Sequence, residues 1–112
     1  MIKGHRIEKE IAVQEFLDII SSYSPDKIKC TGHTFFRLSE EQRKFFKCKE
    51  LKVFLLEKVP VLAGLQHNKN HAVFYEYKEN TVIRLILDIS LTGIQIVTFY
   101  IIGKKNIPRM QK

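Results

Sequence analysis

His33 and Arg37 lie four residues apart and form the pair best suited to chemistry on a phosphate ester. On a helix this spacing puts both side chains on one face, with Cβ atoms about 6 Å apart. An imidazole titrates near neutral pH and can give or take a proton. A guanidinium grips phosphate through two parallel hydrogen bonds. The plainer alternative is a histidine that packs the helix start and an arginine that is solvated or ion-paired. Arg84 is the second candidate, because it interrupts the apolar run Val82-Ile83-Arg84-Leu85-Ile86. It fits a phosphate site on an open sheet face, or an ion pair with Asp88 or Glu76. Tyr100 stands just ahead of Lys104 and Lys105. Its ring could stack a base and its hydroxyl supply a proton, or the ring packs while the hydroxyl stays wet.

The chain ends with Lys104, Lys105, Arg109 and Lys112 and no acid after residue 103. Such a tail makes salt-dependent, sequence-independent phosphate contacts, or simply solubilises a terminus. Cys30-x-x-His33 and His67-x-x-x-His71 have zinc-like spacing, but the usual paired cysteines are missing. The expectation is no metal and no cofactor, with the cysteines small and buried. No glycine-rich phosphate loop, nucleophile elbow or H-E-x-x-H is present, and the acids are scattered.

The elements that must position these groups belong to one domain over residues 1–112, with 103–112 as its basic tail. The 112 residues are 45% hydrophobic and 28% charged, an ordinary globular balance. A chain this long buries roughly 65% of its unfolded surface without staples. Two cysteines make no disulfide framework, and reduced thiols in a cytoplasmic protein are expected. No apolar run approaches the roughly 20 residues of a membrane span. The basic N-terminus lacks the apolar stretch of a secretory signal. Lys and Arg total 19 against 12 acids, a net charge of +7, which favours anionic partners.

Periodicity predicts a first helix over residues 8–21, where Val13, Phe16, Leu17 and Ile20 form one stripe. Residues 27–32 read as a short strand. A second helix starts near Ser39 at the capping box Ser39-Glu40-Glu41-Gln42, or alternatively at Thr34. A third covers 49–58, with Leu51, Phe54 and Leu55 on one face, and stops before Pro60. Strands follow at 62–66, 71–78, 81–89 and 94–102. The fold class is therefore α+β: N-terminal helices, then an antiparallel meander of about four strands. Alternation groups Val82, Arg84, Ile86 and Asp88 on one face, and Ile94, Ile96, Thr98, Tyr100 and Ile102 together on the last strand.

His33-Thr34-Phe35-Phe36-Arg37 is similar to the H-x-x-x-R motif of uncharacterised prokaryotic families adjoining the RelE/ParE toxin superfamily. Gly64-Leu65-Gln66-His67-Asn68, Ala72-Val73-Phe74-Tyr75 and Ile96-Val97-Thr98-Phe99-Tyr100 fit their sheet pattern. The resemblance covers about residues 30–102. It implies a RelE-like fold and a toxin of a toxin–antitoxin pair. RelE-type members cleave mRNA, often on the ribosome; ParE-type members inhibit DNA gyrase and are not nucleases. Both are neutralised by a small antitoxin. Metal-free RNA cleavage requires a base, an acid and cations for the phosphorane. On this resemblance His33 is acid or base, Arg37 and Arg84 hold phosphate, and Tyr100, Lys104, Lys105 and Arg109 assist RNA binding. The alternative is a non-catalytic binding protein of the same fold. An exposed strand edge would accept an antitoxin segment or a second copy as a homodimer.

Overall fold

The computed structural model describes residues 7–31 and 47–106. Among these residues the fold is α+β, with two helices, α1 (Val13–Ser21) and α2 (Cys48–Glu57), against a six-stranded sheet. The strands are β1 (Ile7–Ile11), β2 (Ile28–Cys30), β3 (Leu62–Gln66), β4 (His71–Glu76), β5 (Thr81–Ser90) and β6 (Gly93–Gly103). Their order is β1-β3-β4-β5-β6-β2. Among the described strands only β2 runs parallel to its neighbour, pairing Ile28, Lys29 and Cys30 with Ile94, Gln95 and Ile96.

The meander β3–β6 matches the expected strands, the short strand expected over 27–32 forms as β2 at one edge, and β1 is added at the other. Residues 7–11 do not open the first helix. They pair with β3 instead, because the ladder satisfies their backbone and β1 can serve both sheet faces. A register shift between Ile7 and Lys9 turns the two isoleucines to opposite faces: Ile11 joins the helix-side core and Ile7 packs on the other side. The order is thus strand before helix, not helices first. The expected helix near Ser39 falls outside the described residues.

The helix stripes form as predicted. Phe16 and Ile20 of α1 and Leu51 and Leu55 of α2 are buried, and Phe54 packs at the margin. They meet Val73, Tyr75, Ile83, Leu85, Leu87, Ile96 and Phe99 on one sheet face. Each fully buried side chain of this size contributes about 1.5–3 kcal/mol. A second cluster of Leu62, Ala72, Phe74, Val82 and Ile86 occupies the opposite face.

One irregularity decides which side chains share that opposite face. In the β5–β6 ladder Ile86 faces Thr98, whereas Leu87 faces Ile96, so Val97 is an extra residue in β6. The simple alternation along residues 94–102 therefore fails. Ile94 and Ile96 point with Phe99 into the helix-side core, while Thr98, Tyr100 and Ile102 lie on the face of Arg84.

Cys30 and Cys48 form a disulfide, with Cα atoms 6.0 Å apart. This corrects the expectation of two separate reduced thiols. Parallel pairing with β6 brings the end of β2 beside the first turn of α2, within the span a disulfide bridges. No helix among the described residues is long and apolar enough to cross a membrane.

Candidate functional site

Across three neighbouring strands, Phe74 on β4, Arg84 on β5 and Tyr100 on β6 are direct partners in register. They occupy the sheet face away from α1 and α2. Phe74 is fully buried, and its ring lies 5.2 Å beneath the Arg84 guanidinium carbon. A cation over a ring face is attracted by the ring quadrupole, and the flat guanidinium also packs well there. Partial burial pulls the Arg84 pKa down, and the neighbouring Tyr100 pushes it back up. Arginine stays cationic at physiological pH regardless. The row therefore holds a positive charge half-buried on an aromatic base, with a phenol on the adjacent strand.

The partners weighed for Arg84 in the sequence are placed elsewhere. Glu76 accepts from Lys104 Nζ at 2.8 Å, and that contact holds its carboxyl below the usual range. Asp88 lies four residues along β5, opposite Gln95. Lys104 is not the start of a loose tail. It sits in a short 3-10 turn (Lys104–Asn106), and its N–H donates to Asn80 O at 2.7 Å. Asn80 has a positive φ of 55° in the β4–β5 turn, a conformation asparagine tolerates. Lys105 is exposed. His33, Arg37, Arg109 and Lys112 lie outside the described residues, so the structure brings together Arg84 and Tyr100 from the predicted set.

Of the metal half-sites, His33 lies outside the described residues. Cys30 is committed to Cys48. His67 Nδ1 contacts Glu8 Oε2 at 2.7 Å in an exposed pair. His71 begins β4 with its Nδ1 buried; desolvation lowers its pKa, and the Glu15 charge acts the other way. Among the described residues no group of three His, Cys, Asp or Glu could hold a metal ion. Tyr75 is buried beside Phe54 with ring centroids 5.4 Å apart, and burial raises its pKa.

Sequence reasoning missed Phe74 as the support for Arg84. The signal existed: Phe74 alternates with Ala72 as Arg84 does with Ile86, and a hairpin pairs them. Comparison with protein families, characterised proteins and solved structures finds no match to this chain.

Proposed function

We propose that this chain is a RelE-like toxin that cleaves RNA without a metal ion and is neutralised by an antitoxin. One observation carries the reading: Arg84, supported on Phe74, stands directly opposite Tyr100 on one sheet face. A fixed cation beside a phenol is suited to binding a phosphate and an adjoining nucleotide. The reading assigns His33 as acid or base and Arg37 as a second phosphate ligand.

In the reaction, a base removes the proton from a ribose 2′-hydroxyl and the 2′-oxygen attacks the adjacent phosphorus. Arg84 stabilises the charge that builds on the phosphorane oxygens. The P–O5′ bond breaks, an acid protonates the leaving 5′-oxygen, and a 2′,3′-cyclic phosphate remains. For an antitoxin, β1 offers a sheet edge with one side unpaired among the described residues.

The test is cleavage of RNA by purified protein with EDTA present, alone and on ribosomes. Wild type is expected to cut, with His33→Ala, Arg37→Ala and Arg84→Ala slower by about a hundredfold or more. Variants that cut as fast as wild type, or cleavage abolished by EDTA, would refute the assignment.

A further inference from the structure

The face that carries Arg84 and Tyr100 continues along β5 and β6 to a second polar row. There Lys29 on β2, Gln95 on β6 and Asp88 on β5 are register partners across three strands. Lys29 and Asp88 stand two strands apart, about 10 Å between backbones. They form no ion pair with each other, and Gln95 lies between them. Lys27 closes the same place from the 3-10 turn (Pro25–Lys27) that precedes β2. Together they line a surface hollow of about 290 Å³, floored by Gly93. The glycine is required there: a Cβ on it would sit 2.7 Å from Lys27 O.

The charges of this hollow are mixed. Two ammonium groups suit a phosphate, whereas a carboxylate and an amide suit hydroxyl groups. Asp26 lies nearby, but its carboxylate accepts from Ser24 Oγ at 2.6 Å. A bare phosphate would be repelled by Asp88; a ribose phosphate would use every group. Beside the hollow lies a second, of about 510 Å³, which shares Lys27 and Thr92 and is bordered by Tyr23 and Leu91. Leu91 is fully exposed, and Tyr23 is fixed by donating its hydroxyl to Ser90 O at 2.6 Å. An apolar tip and a fixed ring next to a polar hollow fit a nucleobase beside its sugar.

Building on the RNA-cleaving reading, we infer that this end of the sheet is a ribonucleotide subsite distinct from the Arg84 row. Lys27 and Lys29 hold a backbone phosphate, Asp88 accepts a 2′-hydroxyl, and the base lies over Tyr23 and Leu91. Asp88 is four residues from Arg84 on the same strand, about 13 Å along it. The subsite therefore engages a different nucleotide from the one being cut. Because only RNA offers the 2′-hydroxyl donor, Asp88 gives the protein its preference for RNA over DNA.

The test is fluorescence anisotropy with labelled RNA and DNA oligonucleotides of one sequence, about ten nucleotides long, read before cleavage accumulates. Wild type is expected to prefer RNA, and Asp88→Asn to reduce that preference about tenfold. Lys27→Ala/Lys29→Ala is expected to weaken RNA and DNA alike and to lower the salt slope by about 2. Circular dichroism checks that these surface variants fold. Unchanged preference in Asp88→Asn, unchanged salt slope in the lysine variant, or no binding by wild type would overturn the inference. If wild type cuts RNA but the variants bind as it does, the subsite fails and the cleavage reading stands. If Asp88→Asn loses the preference but wild type never cuts, the subsite stands and the cleavage reading fails.

Discussion

Arg84 faces Tyr100 directly across the β5–β6 ladder, and it does so because Val97 is inserted as an extra residue in β6. Without that insertion, Tyr100 would alternate with Ile96 into the helix-side core and Phe99 would take its place. The bulge thus lets one strand serve the helix-side core with Ile94, Ile96 and Phe99 and the opposite cluster with Tyr100 and Ile102. Bulges re-aim side chains in this way.

The Arg84 side chain should separate stability from activity. Arg84→Lys keeps a charge and most of the apolar stem over Phe74, so its unfolding free energy should lie within about 1 kcal/mol of wild type. It loses the two-pronged grip on phosphate, and RNA cleavage should fall by about a hundredfold. Phe74→Ala removes the buried ring beneath the guanidinium and should cost about 3–5 kcal/mol in urea unfolding. A lysine variant with full activity contradicts the role given to the guanidinium.

The Cys30–Cys48 bond, at a sequence separation of 18, ties the edge strand β2 to the start of α2. Closing a loop of that size stabilises by about 3 kcal/mol, chiefly by constraining the unfolded chain. Cys48→Ser should lower the denaturation midpoint accordingly, and reductant should lower wild type to the same value. Reductant should then have no further effect on Cys48→Ser, and a further drop would contradict the pairing.

Gly93 should resist substitution. Its missing Cβ leaves room for Lys27 O, a backbone atom fixed by the turn before β2. Gly93→Ala forces that turn outward and should cost about 1–3 kcal/mol in thermal or urea unfolding. A neutral effect would mean that the β2 approach is looser than described.

His71 should make stability depend on pH. Its pKa is lowered in the fold because burial disfavours the imidazolium, so the unfolded chain binds its proton more readily. Its contribution is complete above the unfolded value, about 6.5, and is lost as pH falls toward the lowered one. Urea midpoints should therefore drop below neutral pH, and His71→Gln should flatten that slope. An identical slope in the variant would assign the effect elsewhere.

Local patterning made the meander legible. The runs that became β3, β4, β5 and β6 are bounded by turn residues and alternate clearly, and α2 stops where Pro60 requires. The stripe of Phe16 and Ile20 likewise revealed α1. What escaped was non-local. Residues 7–11 carry no strong strand pattern, and only pairing with β3 fixes them. The parallel pairing of β2 with β6, and hence the disulfide, depends on a contact between distant segments. The Val97 bulge is invisible in an apolar run. Of the candidate site, Arg84 announced itself as a charge in a hydrophobic strand, but its ring support and its opposition to Tyr100 required the register.

The central claim is that the chain cuts RNA through the ribose 2′-oxygen without a metal. The most direct measurement follows a short RNA carrying a single 2′-deoxy sugar at a bond that wild type cleaves, with EDTA present. The account predicts that cleavage stops at that bond alone, and that the unmodified RNA yields 2′,3′-cyclic phosphate ends. Cleavage that persists at the deoxy position, or that appears only when a divalent ion is supplied, would contradict it.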